Sequence, residues 1–202
     1  MEVVMGAAPR QRRKPSGLCV VEIDNRRGEG GQWEDHYLVR YLERLSAGTS
    51  FPAMARRFGE AAAATKKQTG SRPEIFIDAT GFGQPLMDEV ERHGSYSRVW
   101  PVYFNHGDRR TEEGGEVRLG KGFLVTRLQM LLQTHQLHLP RSTEAETLAE
   151  ELLAYEVQVA PDATDRYGAF RVGTCDELVT ALGLAVQRPP LPGVGYGRIR
   201  LR

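Results

Sequence analysis

Three carboxylates in two short segments could bind a divalent metal ion. Asp78 ends the apolar run 74–77, which predicts a buried strand, and a Gly-rich turn and a helix follow it. Asp176 and Glu177 are adjacent at the start of a second predicted helix. Carboxylates that are brought together repel each other, and a hard cation with oxygen ligands relieves that repulsion. Two Mg²⁺ or Mn²⁺ ions roughly 4 Å apart can activate a water and stabilise the leaving oxygen of a phosphodiester.

The same carboxylates also have ordinary structural explanations. An Asp after a strand can start a turn, and an Asp before a helix can cap it. Thr174 and Glu177 fit a capping box, in which the two side chains bond the first N–H groups of a helix. A two-metal site needs at least three carboxylates and normally takes one from the first strand. The spacing alone therefore leaves both interpretations open.

The composition is that of a globular domain. The chain has 202 residues, of which 40% are hydrophobic, and a formal net charge of +1. We expect one domain over residues 1–188 and a Pro/Gly/Arg-rich tail over 189–202. No apolar run has membrane-spanning length and the first residues do not resemble a signal peptide, so we expect an intracellular protein. Cys19 and Cys175 are not at metal-ligand spacing and predict neither a zinc cluster nor a disulfide framework.

The hydrophobic pattern predicts an α/β fold with a mixed sheet. Predicted strands cover residues 3–8, 18–23, 37–42, 74–78 and 99–104. Predicted helices cover 51–69, 85–92, 123–135, 143–155 and a last segment from Thr174 to Pro189. Residues 105–120 are predicted to form a polar loop or an exposed hairpin, and residues 137–139 a short segment at the edge of the sheet. Three strands in an antiparallel meander, followed by parallel strands that alternate with helices, is the order of the ribonuclease H-like architecture.

Several segments resemble a known family. Residues 77–88 (IDATGFGQPLMD) and 176–185 (DELVTALGLA) are similar to the two late motifs of the nuclease domain of bacteriophage large terminase subunits. The resemblance extends to 41–45, 48–52 and 121–132, and so covers most of the chain from Val3 to Gln187. It implies a ribonuclease H-like endonuclease that cuts concatemeric double-stranded DNA during viral genome packaging in the host cytoplasm. The implied partners are DNA, the terminase ATPase domain, the small terminase subunit and the portal.

The resemblance also implies roles for individual residues. Asp78 and Asp176 match metal ligands for two Mg²⁺ or Mn²⁺ ions, and Glu177 matches a further or supporting ligand. Lys121 matches a family lysine near the site. A cation at that place could contact the scissile-strand phosphate or replace part of the metal charge.

One position departs from the family pattern. The first catalytic Asp of the family ends the first strand, and Ala8 stands at that place here. A site without this carboxylate loses a bridging metal ligand, so cleavage should be weak or absent. Either the alanine is an engineered or a natural substitution, or the first strand aligns with the family pattern in a different register. Asp24, at the end of the next predicted strand, is the alternative first ligand, although an Asp before a Gly-rich loop also fits a plain turn.

Two basic segments are candidates for contacts with DNA phosphates. Such runs are often only solvated loops, but they also suit the backbone contacts of a nuclease without sequence preference. The leading interpretation is a metal-dependent DNA endonuclease domain, and the alternative is a non-catalytic ribonuclease H-like module that binds DNA or a packaging partner. The candidate DNA-binding residues are Arg10, Arg12, Arg13, Lys14, Arg109, Arg110 and Arg118.

Overall fold

The computed structural model describes residues 2–10, 14–28, 30–82, 84–94, 96–159, 165–168 and 175–188. Within these ranges, no helix is both long and apolar enough to cross a membrane. The tail 189–202, which the sequence sets apart from the domain, lies outside the described residues.

A mixed eight-stranded sheet forms the centre of the molecule, in the order β6-β7-β5-β4-β1-β2-β3-β8. Antiparallel pairing joins β1, β2 and β3, as the predicted meander requires. The strands β1, β4, β5 and β7 run parallel to one another. This arrangement confirms the predicted ribonuclease H-like sheet. The strands are β1 (Glu2–Ala8), β2 (Ser16–Arg27), β3 (Trp33–Leu45), β4 (Glu74–Asp78), β5 (Arg98–Asn105), β6 (Arg110–Glu113), β7 (Glu116–Gly120) and β8 (Leu137–His138), with a separate hairpin of β9 (Glu156–Val159) and β10 (Asp165–Gly168).

Helices cover both faces of the sheet, because the parallel strands are apolar on both sides. The helices are α1 (Phe51–Thr69), α2 (Gln84–Arg92), α3 (Lys121–Gln133), α4 (Thr143–Ala154) and α5 (Glu177–Val186). Met54, Phe58 and Val90 of α1 and α2 form one core with Val3 and Met5. The other face carries α3, α4 and α5 in a second core, and all ten residues of α5 are buried.

The largest departure from the prediction is the length of β2 and β3. Their outer halves form a polar two-stranded ribbon in which Asp24 pairs with His36 and Asn25 with Asp35. An apolar pattern cannot find such residues, because they extend beyond the core and are held by backbone pairing and polar cross-strand contacts. The hairpin of β9 and β10 is likewise not among the predicted strands.

Other boundaries agree closely with the sequence. The helix α1 has the predicted bounds and ends at Gly70, whose φ of 75° is the left-handed conformation that glycine adopts without strain. Of the two alternatives for residues 105–120, the structure has the hairpin, whose turn contains Gly114 and Gly115 with φ of 60° and 85°. Its second strand β7 joins the main sheet. The last helix begins at Glu177 with Asp176 as its N-cap, while Thr174 of the predicted capping box lies outside the described residues.

Candidate functional site

The candidate site lies where the four parallel strands end, which we call the carboxyl edge of the sheet. The helix α5 starts at this edge because it runs back along β1 at very short range. Gly17 of β2 pairs with Ala8 at the end of β1. A Cβ atom on Gly17 would lie 2.3 Å from the carbonyl oxygen of Glu177. The absence of a side chain at this glycine therefore lets the N-terminus of α5 reach the strand ends.

Position 8 lies beside Asp78 on the face that α5 covers. Ala7 pairs with Ile77 in the parallel register of β1 and β4, so the next residues, Ala8 and Asp78, are neighbours. Strand alternation places Ala8 in the same core as Phe76, and Asp78, two residues after Phe76, is on that face too. A carboxylate at position 8 would thus stand next to Asp78, as the family pattern requires.

Asp78 is 5% exposed and both of its carboxylate oxygens accept hydrogen bonds. The backbone N–H of Thr80 donates to Oδ1 at 3.0 Å, which is the turn contact expected of an Asp after a strand. Nη1 of Arg10 donates to Oδ2 at 2.7 Å. The predicted metal ligand is therefore held by a turn and by a cation from its own chain.

The same guanidinium group also reaches the start of α5. Nη2 of Arg10 lies 3.8 Å from Oδ1 of Asp176 and donates to Oγ1 of Thr180 at 3.4 Å. The side chain of Asp176 is about one quarter exposed and makes no capping bond to its helix. The structure thus brings Asp78 and Asp176 together, with Arg10 between them.

Glu177 belongs to a different cluster. Its Oε1 lies 2.5 Å from Nε of Arg44 in β3, an ion pair without a well-aligned hydrogen bond. Arg44 also donates from Nη2 to Oε1 of Glu151 at 2.5 Å. The other oxygen of Glu151 accepts from the backbone N–H groups of Leu178 and Val179 at 2.9 and 3.1 Å, which fixes the N-terminus of α5. Glu177 is buried and pairs with Arg44.

Two carboxylates share one guanidinium in this cluster, and one of them resists ionisation. The pKa of Glu151 is raised to about 7, first because burial disfavours its charged form and then because Glu177 carries a like charge. The hydrogen bonds from Val179 and Arg44 oppose this shift. Glu151 therefore gives up its proton near neutral pH, and the charge of the cluster changes there.

Lys121 lies at the same edge as Asp78. It is the first residue of α3 and directly follows β7, whose end is parallel to that of β5. Its Nζ is 5.9 Å from the centre of the Phe104 ring, and the side chain is half-buried. The topology places this lysine two strands away from β4.

Asp24 is excluded as the missing first ligand. Its neighbour Ile23 pairs with Glu2, the first residue of β1, so Asp24 lies at the opposite edge of the sheet from Asp78. There it accepts a hydrogen bond from Arg26 at 2.9 Å. The alternative that the sequence left open is wrong, because antiparallel pairing reverses the direction of β2.

The candidate DNA-binding residues differ in their surroundings. Arg10 is turned inward as described above, and Arg110 is half-buried, where it donates to the side chains of Gln187 and Glu112. Arg12 and Arg13 lie outside the described residues. Lys14, Arg109 and Arg118 are exposed and accessible to a DNA backbone.

The donors described at this edge do not fit a pair of divalent metal ions. Asp78 and Asp176 contribute two carboxylates, Ala8 contributes none, and Glu177 pairs with Arg44. Nowhere in the described ranges do three His, Cys, Asp or Glu residues form a group that could hold a metal. A permanently charged guanidinium also stands between the two carboxylates.

Sequence reasoning missed the inward role of Arg10 and the role of Glu151. The available signal for Arg10 was a cation two residues after the first strand, close to Ala8, where the family pattern has a carboxylate. Glu151 falls three residues after the buried Leu148 and so lies on the apolar face of α4. A charged residue on such a face indicates a buried partner.

Several solved structures with the same fold are nuclease domains of viral terminases. The large terminase nuclease from thermophilic phage G20c with bound magnesium is similar over 93% of this chain and 81% of that chain, with a TM-score of 0.64 and 19% identity. The manganese-soaked terminase nuclease domain of human cytomegalovirus is similar over 91% of this chain and 80% of that chain, with a TM-score of 0.58 and 13% identity. For the large terminase nuclease domain of bacteriophage SPP1 with bound Mn, the shares are 92% and 85%, the TM-score is 0.54 and the identity 11%.

No protein-family model matches the sequence, and no curated protein matches it either. At these identities the likeness to solved structures shows the fold. The family resemblance of the sequence motifs is thereby confirmed at the level of the fold, which is that of the terminase nuclease domains.

Proposed function

We propose that this chain is the nuclease-type domain of a viral genome-packaging terminase in a form that binds double-stranded DNA but does not hydrolyse it. The observation that supports the proposal is the place of Ala8. It lies in register beside Asp78, on the face covered by α5, where a catalytic centre of this fold would need a further carboxylate. The domain would act with an ATPase domain, a small terminase subunit and a portal on concatemeric DNA.

The residues that remain suit binding better than hydrolysis. Lys14, Arg109 and Arg118 are exposed and carry positive charge that suits the phosphates of a duplex without reading its sequence. Lys121, at the carboxyl edge, could contact a phosphate that approaches Asp78. Arg10 contacts both Asp78 and Asp176 and so neutralises part of their charge.

The first test compares DNA binding and DNA cleavage on the same preparation. We expect binding of a mixed-sequence duplex that weakens steeply with salt, and no nicking of supercoiled plasmid in Mg²⁺ or Mn²⁺. Nicking by Ala8→Asp but not by the unchanged chain would identify position 8 as the vacated catalytic position. Robust cleavage by the unchanged chain, or no DNA binding at low salt, would contradict the proposal.

A metal-dependent endonuclease is the second candidate, and one observation favours it. Asp78 and Asp176 lie close enough to share a single guanidinium. Two carboxylates that bind the same metal ion must also lie close together. For this candidate, nicking in Mn²⁺ by the unchanged chain should disappear in Asp78→Ala without loss of folding. Nicking by the unchanged chain that is lost in Asp78→Ala supports the endonuclease, whereas nicking that appears only in Ala8→Asp supports the binding domain.

A further inference from the structure

Arg10 is anchored far more firmly than a DNA-contacting side chain requires. Its backbone N–H donates to Oγ of Ser16 at 2.9 Å, and Ser16 is fully buried. Nη1 donates to the carbonyl oxygen of Pro9 at 3.2 Å as well as to Asp78. Backbone and side chain are both fixed, so the guanidinium is held in one place at the carboxyl edge.

The position of this guanidinium is defined by two carboxylates from distant parts of the chain. Asp78 ends β4 and Asp176 directly precedes α5, and Arg10 contacts one with each of its terminal nitrogens. A guanidinium stays protonated at every pH that a protein tolerates. A divalent ion that bound both carboxylates would therefore have to approach a fixed positive charge or displace it.

We propose that Arg10 is the resident cation of this site, which holds Asp78 and Asp176 together and weakens the binding of divalent metal ions even when a carboxylate is restored at position 8. The inference rests on the proposed function, in which this edge corresponds to a nuclease centre. It adds a second change, after the loss of the carboxylate at position 8, that separates this chain from a metal enzyme.

Arg10 accounts for the charge balance without a metal. One guanidinium beside two carboxylates leaves a single negative charge, and the hydrogen bond from Thr80 to Asp78 stabilises part of it. Removal of Arg10 would leave two carboxylates near each other, one of them buried. Such a pair is unstable alone and would gain affinity for a hard cation.

The experiment measures Mn²⁺ binding by calorimetry and melting temperature with and without Mn²⁺, in the absence of DNA. The proteins compared are the unchanged chain, the single variants Arg10→Ala and Ala8→Asp, and the double variant A8D/R10A. Arg72→Ala is the matched control, because Arg72 is exposed and precedes β4, at the opposite end of the strand from Asp78.

The melting temperature of the unchanged chain should not change when Mn²⁺ is added to about 1 mM. This concentration is close to the dissociation constants of the weakest carboxylate sites for divalent ions in proteins. Arg10→Ala should melt at a lower temperature and recover when Mn²⁺ is added. The double variant should bind Mn²⁺ at least about tenfold more tightly than Ala8→Asp, because a fixed positive charge is absent. Arg72→Ala should behave as the unchanged chain does.

Equal Mn²⁺ affinity of Ala8→Asp and A8D/R10A would overturn the inference, as would tight binding by the unchanged chain. If Arg10→Ala does not fold, Arg10→Gln replaces it, because Gln keeps hydrogen-bond donors without the charge. The readout is independent of cleavage. Nicking by the unchanged chain contradicts the proposed function, whereas an Mn²⁺ affinity that does not depend on Arg10 contradicts only this inference.

Discussion

Gly6 of β1 and Ala181 of α5 are packed so closely that a Cβ atom on Gly6 would lie 1.9 Å from the carbonyl oxygen of Ala181. It would also lie 2.7 Å from the backbone nitrogen of Ala185. Both neighbours are backbone atoms and cannot turn aside as a side chain can. This contact sets the distance between α5 and the central strand, and with it the place of Asp176 at the carboxyl edge.

Gly6→Ala should therefore destabilise the fold by about 3 kcal/mol or more, because α5 must move away from β1. Urea denaturation followed by circular dichroism measures the change. Gly31→Ala is the control, since Gly31 has open space around it and a φ of 81°. It should cost only about 1–2 kcal/mol, the strain of a left-handed alanine. Equal losses in the two variants would show that α5 is not packed on Gly6.

Ala8→Asp should lower stability when no divalent ion is present. The new carboxylate would be buried beside Asp78, and Arg10 already serves two acidic groups, so a loss of roughly 3 kcal/mol is expected for a poorly compensated buried charge. Ala8→Asn is the matched control, because it has the same shape without the charge. The difference between the two variants should shrink in acid, where the carboxyl takes up a proton. A constant difference across pH would attribute the loss to size alone.

Stability should fall as the pH rises through the range in which Glu151 ionises. The pKa of Glu151 is raised from 4.5 to about 7, so the folded chain keeps a proton that the unfolded chain has already released. The contribution of this group is most favourable below about pH 4.5 and is lost as the pH approaches and passes 7. Glu151→Gln should flatten this slope in urea titrations at several pH values. The exposed neighbour Glu150, changed to Gln, should leave the slope as it is.

Arg118 and Arg109 should contribute to DNA affinity through the phosphates. Each is exposed, and its replacement by Ala should weaken binding and reduce the slope of log affinity against log salt by about 0.9 per lost phosphate contact. Fluorescence anisotropy with one duplex over a series of KCl concentrations measures both quantities. Arg72→Ala, at the other edge of the sheet, should change neither. A slope unaffected by Arg118→Ala and Arg109→Ala would remove these side chains from the interface.

Arg110→Ala should act on stability instead. Its guanidinium bonds the side chain of Gln187, which is fully buried at the end of α5, and Glu112. Loss of this contact leaves a buried amide oxygen without its donor, at a cost of about 1–3 kcal/mol. Thermal unfolding of Arg110→Ala beside Arg109→Ala checks the expectation, because only the former should melt at a clearly lower temperature.

The sequence predicts β1, β4 and β5 well, because these parallel strands are short apolar runs with clear turn signals, whereas it does not predict that β7 joins the same sheet. The bounds of α1 and the end of β4 at Asp78 follow from such local patterns. The polar ribbon of β2 and β3 could not be predicted, since its stability comes from pairing between strands. Local patterns carry no information on which residues of two distant segments will meet.

The site shows the same division. The sequence predicts that Asp78 and Asp176 come together, and the structure brings both to Arg10. It does not predict that Glu177 turns to Arg44, because that choice depends on where α4 places Glu151. The direction of a side chain at a helix start is decided by tertiary neighbours, which the spacing of residues does not contain.

The two outer strands of the main sheet are short, and β6 is also charged. The strand β6 has four residues with the sequence RTEE, and β8 has only two. Short or charged border strands offer little backbone for another chain to extend the sheet by hydrogen bonding. Self-association through strand addition is thus disfavoured at the β6 border. At the other border β8 pairs only with Tyr37 and Leu38 of the 13-residue β3, so an extension of the sheet there would have to use the rest of β3.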